Sequence, residues 1–443
     1  EIRPRDWSSD VCSSDLSECA KWVGSIDRVD RIDEFVSHAF HVAQAGRKGP
    51  VVLALPEDVL YMTGEEHPVA PAHIVQPGLD VNAFSQAMQV FANAKRPMII
   101  AGGGNWNRAA CDKLSAWANQ EGVPVATSFR SQDLIDNLDA IFAGDLGIGA
   151  NPALVKRVQS ADVLLVIGER LGEMTTAGYS VFKVPKANNT LIHVHSGSEE
   201  LGRVYRPDFA LNCSPENFCS ALSAIKMNGN YDASAGKASH AEYLAFASPV
   251  TVPGGLQLAQ IMSSLQDSIP RDSIVTNGAG NFATWVHRFY PYGSFKTQLA
   301  PANGSMGYGL PAAIAAKIVH PEKVVIAVCG DGDFMMNCQE LATAARYDAF
   351  PIIFVVNNCM LGTIRMHQER EFKSRVIATG LTNPDFVKFS DSFGIPGFRV
   401  SKTEEFAAAF AKALESKKGA LIELILDQEV IRSEEHTSEL QSR

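Results

Sequence analysis

The chain has 443 residues, of which 46% are hydrophobic and 20% are charged, and its formal net charge at pH 7 is −10. This length and composition allow two or three domains with sizeable cores. The acidic balance, without a run of basic residues, argues against nucleic acid as a partner, and no apolar run reaches the roughly 18 residues of a membrane span, so no membrane contact is expected.

The two ends of the chain carry related sequences. Asp6 to Leu16 reads DWSSDVCSSDL and Arg432 to Ser442 reads RSEEHTSELQS. One short DNA sequence can encode the second stretch, and its reverse complement, in another frame, encodes the first. This pattern resembles read-through of a sequencing adapter, so residues 1–16 and 432–443 are predicted to be an artefact and are left out of the fold prediction. The intervening protein is expected to be a piece of a longer gene product.

Residues 17–64 have the pattern of the end of a domain. Arg31 to Ala45 is predicted to be an amphipathic helix and Val51 to Leu55 an all-apolar strand. Such a strand is usually flanked on both edges and covered on both faces. So little chain precedes it that we expect its edges to be unpaired. Glu65 to Asp80 is rich in proline and is predicted to be a linker.

Residues 80–226 form a second block, in which short apolar strands alternate with helical patterns, as in a doubly wound parallel sheet of the α/β class. The triplet Gly102-Gly103-Gly104 lacks the GxGxxG spacing, which favours an ordinary glycine turn. His193 and His195 lie on one strand face without a third ligand, which favours a strand-end pair over a metal site. The predicted strands are Met98–Ala101, Val123–Thr127, Ala161–Ile167 and Thr190–Val194.

Met227 to Gly255 is small, polar and rich in glycine and serine, and it is predicted to be a second linker. Residues 254–431 then form a third α/β block. Its early part contains two glycine-rich loops, Gly278-Ala279-Gly280-Asn281 after a strand and the start of Ala302 to Ala315 before an alanine-rich helix. Glycine loops of this kind can bring backbone N–H groups close to a phosphate.

The centre of the third block is the stretch from Val324 to Gly362. A buried strand, Val324 to Val328, leads into Gly330-Asp331-Gly332, a turn that glycine favours. A helix is predicted from Phe334 to Tyr347, followed by a strand from Ile352 to Val356 that ends at Asn357-Asn358. This is a βαβ unit with polar residues at the carboxyl ends of both strands, where α/β sheets bind ligands.

These polar residues suit a metal diphosphate. Asp331 offers a carboxylate oxygen and Asn358 an amide oxygen, and with a backbone carbonyl they match the few protein ligands that Mg²⁺ takes beside water and phosphate. The free N–H groups at the start of the following helix favour an anion at the same place.

Gly330-Asp331-Gly332 followed by Asn357-Asn358 resembles the thiamine diphosphate motif of the acetohydroxyacid synthase (acetolactate synthase) and pyruvate decarboxylase superfamily. The resemblance covers nearly all of residues 17–427. It implies that residues 17–64 are the end of the pyrimidine-binding domain, that residues 80–226 are the Rossmann-like central domain and that residues 254–431 bind the diphosphate.

The resemblance also implies roles for individual residues. Mg²⁺ would be held by Asp331, Asn358 and the carbonyl of Met360. Met306 would be the wedge that bends the cofactor into its V shape, and His367 would lie on the side of the acceptor. The cofactor would be surrounded by Gly280, Asn281, Ser305, Met306, Asp331, Gly332, Asp333, Asn358, Met360, Leu361 and Gly362.

Several positions depart from the biosynthetic members of that family. Asn281-Phe282 stands where they carry Gln-His, and His367 stands where they carry a tryptophan that helps to choose the second 2-oxo acid. The change at His367 predicts little preference for 2-oxobutyrate over pyruvate as acceptor. Met174 replaces an arginine that contacts FAD in the family, and Ile148-Gly149 replaces a Met-His pair, although Arg170 is kept. These changes count against FAD as a second cofactor.

The expected activity is decarboxylation of a 2-oxo acid followed by carboligation to a second carbonyl, as in acetolactate synthase. A simple 2-oxo acid decarboxylase, an acyl-CoA lyase or a non-catalytic cofactor-binding homologue are the alternatives. The family activates the cofactor with a glutamate of the first domain and works as a homodimer or homotetramer. That glutamate has no counterpart here, so the chain alone is expected to be inactive. Scattered cysteines without a CxxC pair are typical of a reducing cytoplasm.

Overall fold

The computed structural model describes residues 15–65, 70, 73–432 and 435–436. Most of the predicted adapter sequence, at residues 1–14, 433–434 and 437–443, and part of the first predicted linker lie outside the described residues. The first described block contains β1 (Trp22–Ser25), α1 (Ile32–Gln44), β2 (Val51–Ala54) and α2 (Glu57–Leu60).

The expectation that the edges of β2 are unpaired is wrong for one edge. β1 pairs with β2 in parallel, with Trp22 opposite Val51. The short stretch before α1 was therefore long enough to supply one strand. All four residues of β2 are nevertheless only half buried, although a parallel strand of this composition is usually covered on both faces.

The second block is a six-stranded parallel sheet in the order β5-β4-β3-β6-β7-β8. Every residue of β3 and of β6 is buried, which explains their unbroken apolar sequences. The order in which the chain adds strands reverses between these two parallel central strands, as in a doubly wound fold. The elements are α3 (Val81–Ala92), β3 (Pro97–Ala101), α4 (Arg108–Glu121), β4 (Val125–Thr127), β5 (Phe142–Asp145), α5 (Pro152–Ser160), β6 (Val163–Ile167), β7 (Thr190–His195), β8 (Phe209–Asn212) and α6 (Pro215–Leu222).

The predicted second linker contains a helix, α7 (Ala235–Phe246). Tyr243 is buried on this helix and its ring meets that of Phe142 edge to face, with 4.8 Å between the centroids. Gly236 lets the helix approach the sheet closely, and its N–H donates to the carbonyl of Gly122 at 3.0 Å. The prediction of a linker is therefore wrong for this segment, because its small residues allow a helix to pack tightly.

The third block is a second six-stranded parallel sheet, in the order β10-β9-β11-β12-β14-β13. The α/β class with doubly wound parallel sheets is thus confirmed. The elements are α8 (Leu258–Ser268), β9 (Ile274–Asn277), α9 (Phe282–Phe289), β10 (Gln298–Leu299), α10 (Gly309–Val319), β11 (Val325–Gly330), α11 (Asp331–Phe334), α12 (Leu341–Arg346), β12 (Ile352–Asn357), α13 (Gly362–Glu371), α14 (Phe386–Asp391), β13 (Gly397–Val400), α15 (Thr403–Glu415), β14 (Ala420–Ile425), β15 (Val430–Arg432) and β16 (Glu435–His436).

The predicted helix from Phe334 to Tyr347 is wrong at its start and in its continuity. The helix α11 begins at Asp331, directly after β11, and ends at Phe334. The chain then turns before α12, where the Asn337 side chain donates to the carbonyl of Gly307 at 2.8 Å. This contact with a distant loop draws the backbone out of the helical path, which local propensity could not reveal.

The two large sheets meet through a polar interface. Asn137 forms two hydrogen bonds with the backbone of Tyr292. The Asn137 side-chain oxygen accepts from the N–H of Tyr292 at 2.9 Å, and the backbone N–H of Asn137 donates to the carbonyl of Tyr292 at 2.8 Å. The buried Asp133 carboxylate accepts from the N–H groups of Thr297 and Gln298 at 3.0 and 3.2 Å. These bonds join the loop after β4 to the segment before β10 and fix the central domain against the third.

In the described part of the chain, no helix is long and apolar enough to cross a bilayer. The cysteines of that part are free thiols, and those at positions 111, 213, 219 and 329 are buried.

The Asp145 carboxyl, which accepts a hydrogen bond from Gln132 beside the domain interface, should make the stability of the fold depend on pH. Burial raises the pKa of Asp145 to about 7, although the Arg130 guanidinium favours its charged form. A carboxyl whose folded pKa lies above its unfolded value contributes stability below the unfolded pKa, and that contribution is lost as pH rises through the folded one. Asp145→Asn keeps the oxygen that accepts from Gln132, so between pH 4 and pH 7 it should gain stability over the wild type, by on the order of 1 kcal/mol or more.

Urea unfolding of both proteins across this pH range measures the difference. Asp112→Asn, at an exposed position of α4, is the matched control and should show no such trend. A constant difference between the Asp145 variant and the wild type would contradict the prediction.

Candidate functional site

A cavity of about 230 Å³ opens at the carboxyl edge of the third sheet, above the ends of β9, β11 and β12. All of the predicted site residues except Ser305 and His367 line it. Ser305 is exposed in the loop before α10, and His367 is exposed on α13, one turn beyond Ile364, which does line the cavity. The lining residues that had been predicted are Gly280, Asn281, Met306, Asp331, Gly332, Asp333, Asn358, Met360, Leu361 and Gly362.

Asp331 follows β11 directly and is only 3% exposed. One carboxylate oxygen accepts from the N–H of Gly332 at 2.9 Å, and the other accepts from the side-chain amide of Asn383 at 2.8 Å. Burial raises the pKa of Asp331, and these hydrogen bonds only partly offset the effect. Within the described residues no cationic side chain forms an ion pair with this carboxylate. A buried, uncompensated carboxylate in a cavity is the local charge that a metal ion would neutralise.

Two neutral oxygens accompany Asp331. The side chain of Asn358 lines the cavity, and among the described residues it makes no hydrogen bond within the chain, so its oxygen is open to a ligand. Met360 pairs with Gly380 in an isolated antiparallel bridge. The bonds of this bridge run to the carbonyls of Cys359 and Thr379, which leaves the Met360 carbonyl out of them.

Asp333 lines the same cavity and joins the two glycine loops. One of its oxygens accepts from the N–H groups of Ala279 and Gly307, at 3.1 and 2.8 Å. Burial raises the pKa of Asp333 to about 6, although both amides and the Cys329 thiol favour the charged form. A Cβ on Gly278 would lie about 2.0 Å from the carboxylate. Only glycine therefore leaves room for Asp333 at this place.

The prediction that Gly330-Asp331-Gly332 needs glycine for its turn is wrong. Gly330 has φ −75° and an extended backbone conformation, which any residue can adopt. What glycine provides here is space. A Cβ at Gly330 would come within 2.7 Å of the Phe282 ring, and one at Gly332 within 3.0 Å of Leu361. The motif is thus a packing requirement around the cavity floor.

Met306 is 38% exposed at the mouth of the cavity. Its terminal methyl group lies 3.8 Å from the position that a Cβ on Gly332 would occupy. The side chain therefore projects over the floor of the cavity, with Gly307 behind it held by Asp333 and Asn337. An exposed methionine on a fixed loop is not a core residue.

Sequence reasoning missed three polar or aromatic groups of the site. Thr363 donates to the side-chain oxygen of Asn281 at 3.0 Å and accepts from its N–H at 3.1 Å, which ties the first glycine loop to α13. Trp285 lines the cavity from α9. Asn383 is remote in sequence from the motif residues, and no local pattern marked it. Only for Trp285 did a signal exist, as an aromatic residue one turn after a glycine loop.

A second cavity, of about 440 Å³, lies at the carboxyl edge of the central sheet. It lies between the ends of β3 and β6, where the strand order reverses, which is where such sheets bind ligands. Arg170, Met174 and Arg130 line it, together with Gly103 and Gly104. Gly103 has φ +68° and a Cβ there would meet the carbonyl of Gly168 at 2.0 Å, so this glycine turn is a close contact between neighbouring strand ends.

His193 and His195 lie at the same edge of the central sheet. The Nε2 atom of His193 lies 2.8 Å from the carbonyl of Glu169, and the Nδ1 atom of His195 lies 3.0 Å from that of Gly197. Burial lowers the pKa of His193 to about 4, so this ring is neutral at physiological pH. Among the described residues no group of three histidine, cysteine or acidic side chains could hold a metal ion.

The first cavity fits a metal diphosphate by its donor set. One carboxylate, one amide and one carbonyl oxygen are too few to enclose a cation alone, but they suit Mg²⁺ that shares its shell with phosphate oxygens and water. Glycines along the wall leave backbone open to the ligand. The residues present therefore fit thiamine diphosphate with Mg²⁺ at this edge.

Comparison with known proteins agrees with this geometry. Residues 278–424 match the profile described as "Thiamine pyrophosphate enzyme, C-terminal TPP binding domain", and residues 84–222 match "Thiamine pyrophosphate enzyme, central domain". The chain is 28% identical to the acetolactate synthase large subunit of Parasynechococcus marenigrum over 408 residues, which is 89% of this chain and 65% of the relative.

Two further relatives have the same character. The acetolactate synthase large subunit of Corynebacterium glutamicum is 30% identical over 423 residues, covering 90% of this chain and 66% of the relative. The isozyme 2 large subunit of Escherichia coli is 26% identical over 415 residues, covering 93% and 74%. The chain thus spans about two thirds to three quarters of the length of these relatives. Two matched domains on two sheets, with the motif residues around one cavity, place the chain in the family of thiamine pyrophosphate-dependent enzymes.

Proposed function

We propose that this chain binds thiamine diphosphate together with Mg²⁺ in the cavity of the third sheet. The proposal is carried by one observation: Asp331, Asn358 and Met360 line the same cavity although they follow two different strands. Asp331, Asn358 and the Met360 carbonyl would hold the metal ion. Bound thiamine diphosphate supplies a carbon nucleophile that a 2-oxo acid can attach to before it loses CO₂.

The residues around the cavity would place and shield the cofactor. Gly280 and Gly362 leave backbone open to the diphosphate, Leu361 and Met306 provide apolar contact, and Trp285 closes the inner wall. Asn281 and Thr363 hold two walls together through their paired hydrogen bonds. The role of the chain is thus to fix the position of the cofactor and to exclude water around it.

The similarity to acetolactate synthases supports decarboxylation of a 2-oxo acid followed by carboligation to a second carbonyl. A simple 2-oxo acid decarboxylase or an acyl-CoA lyase of the same superfamily is the second candidate, since the exposed His367 lacks the large indole wall that the family's tryptophan gives the acceptor. Since the chain alone is expected to be inactive, a product assay of the full-length gene product with pyruvate, alone and with a second 2-oxo acid, separates the two activities. Apolar Met306 and Ile364, exposed at the cavity mouth, are consistent with a homodimer or homotetramer that covers them.

We propose further that the second cavity does not hold FAD. Met174 there is apolar where the family has an arginine that contacts FAD, and exposed Ile148 lies outside the cavity lining. The purified protein should therefore show no flavin band in its visible absorption spectrum, even after incubation with FAD and desalting. The cofactor-binding site of the third sheet should be unaffected by this treatment. Retention of stoichiometric flavin would contradict the proposal.

Asp331→Ala tests the metal site. The change removes the only carboxylate among the expected ligands and leaves the diphosphate without its cation. Calorimetry should show thiamine diphosphate binding to the wild type with Mg²⁺, loss of that binding with EDTA, and at least about a ten-fold weaker affinity in the variant. Asp391→Ala, at an exposed position at the end of α14, is the matched control. Equal affinities in the variant and the wild type would make the motif purely structural.

Substitutions of Asp333 test whether this residue stabilises the structure by joining the two glycine loops. Asp333→Ala leaves two buried N–H groups, of Ala279 and Gly307, without an acceptor, which should cost about 2 kcal/mol of unfolding free energy or more. Asp333→Asn retains an oxygen that can accept from both amides, so it should recover most of this stability. Denaturant unfolding of the three proteins measures the effect, and an alanine variant as stable as the wild type would show that this connection contributes nothing.

A further inference from the structure

The loop between α13 and α14 brings one side chain against the ends of two strands. The side-chain nitrogen of Asn383 donates to Asp331 at 2.8 Å, at the end of β11, and to the side-chain oxygen of Asn357 at 2.9 Å, at the end of β12. These are the two strands after which the expected metal ligands follow. Asn383, which is not itself an expected ligand, therefore connects the end of β11, where Asp331 lies, to the end of β12, which Asn358 and Met360 follow.

The orientation of the Asn383 amide is determined by a chain of acceptors and donors. Glu423, buried on β14, is an acceptor only, so the nitrogen of Asn357 must face it, at 2.7 Å. The oxygen of Asn357 then faces the N–H of Cys359, at 3.1 Å, and Asn383. Since this oxygen and the Asp331 carboxylate are both acceptors, Asn383 must present its NH₂ group to them.

The same network holds the loop that carries Asn383. The second oxygen of Glu423 accepts from Arg399 at 2.7 Å, and Arg399 donates to Asp385 at 3.0 Å. Asp385 lies two residues after Asn383 and caps α14 through the N–H of Lys388. The hydrogen bonds thus form a ring that runs from Asn383 through β12, β14 and β13 and returns to its loop at Asp385. Asn383 is therefore held through its side-chain nitrogen and through the loop that carries it.

The consequence for Asp331 is geometric and electrostatic. Its two oxygens each accept one hydrogen bond, from Gly332 and from Asn383, so each keeps one lone pair for another partner. The Asn383 bond prevents the carboxylate from rotating. Because the amide is neutral, it adds a donor without supplying the positive charge that a Lys or Arg would bring.

We propose that Asn383 is the positioning residue of the metal site, which holds Asp331 in its binding orientation and keeps the site too weakly negative to bind a cation before the diphosphate is present. The inference rests on the proposed function for the identity of the ligand, a divalent cation with a diphosphate. It goes beyond that function by assigning the order of binding and the Mg²⁺ requirement to a residue outside the ligand set.

Two variants of Asn383 test this proposal, one expected to weaken Mg²⁺ binding and the other expected to create cation binding without a diphosphate. Asn383→Ala removes the shared donor and frees Asp331, so the Mg²⁺ concentration at half-saturation of thiamine diphosphate binding should rise about ten-fold or more. Asn383→Asp puts a carboxylate oxygen within hydrogen-bonding distance of two other oxygens. That cluster should bind Mn²⁺ without any diphosphate, where the wild type binds none. Thr382→Ala, exposed in the same loop, is the matched control and should behave as the wild type.

The measurements are calorimetry of the full chain with Mg²⁺ and thiamine diphosphate, and paramagnetic resonance of free Mn²⁺ for binding of Mn²⁺ alone, both with thermal unfolding of each variant. A shift in Mg²⁺ half-saturation at an unchanged melting temperature supports positioning, since a merely structural residue would move stability instead. A value within two-fold of the wild type in a folded Asn383→Ala protein overturns the inference.

The Mn²⁺ measurement decides in two other cases. If Asn383→Ala does not fold, gain of Mn²⁺ binding in Asn383→Asp supports the inference and its absence overturns it. If the wild type binds no thiamine diphosphate with Mg²⁺, the proposed function is wrong, yet the Mn²⁺ measurement still tests whether residue 383 controls cation binding at Asp331. Failure of the function and failure of the inference are therefore distinguishable.

Discussion

The candidate site depends on the parallel register of β9, β11 and β12. Asn277 pairs with Val328, and Gly330 pairs with Val356, so the three strands end within two or three residues of one another on the same edge. Neighbouring strands lie about 4.8 Å apart. The residues that follow each strand must therefore meet, however far apart they are in sequence. The proposed metal ligands Asp331, Asn358 and Met360 lie together as a consequence of this one arrangement.

Two carboxylates are buried at that edge, and the chain compensates them differently. Asp333 is paired internally, with two backbone amides of distant loops, so its charge serves the structure. Asp331 receives one backbone amide and one neutral side-chain amide, and no cation in the described part of the chain faces it. An ionised group in such surroundings is costly unless a partner arrives. Asp331 and Asp333 are only two positions apart, yet their hydrogen-bond partners differ. These partners indicate that Asp333 joins the glycine loops and that Asp331 is the expected metal ligand.

The central domain supports the site from the other side. Asn277, at the end of β9, donates to the carbonyl of Gly278 at 2.7 Å, and its oxygen lies 3.1 Å from His287. The carbonyl of His287 in turn accepts from Gln132 of the central domain at 2.7 Å. The first glycine loop is therefore connected through α9 to the neighbouring sheet. A domain that contributes no residue to the first cavity still constrains one of its walls.

The sequence alone determined the α/β class and predicted motif residues that the structure places around one cavity. The reason is that unbroken apolar strands separated by helical patterns are typical of parallel sheets, which bind ligands at the carboxyl ends of their strands. Asp331 and Asn358 could be found because each stands directly after such a strand. The tertiary structure alone decided what lies around them. The break in the predicted Phe334–Tyr347 helix follows from the contact of Asn337 with a distant loop, and the glycines of the motif are required by the Phe282 ring and by Leu361. Asn383 left no trace in the sequence, because its role arises from hydrogen bonds to residues far away along the chain, which only folding brings within reach.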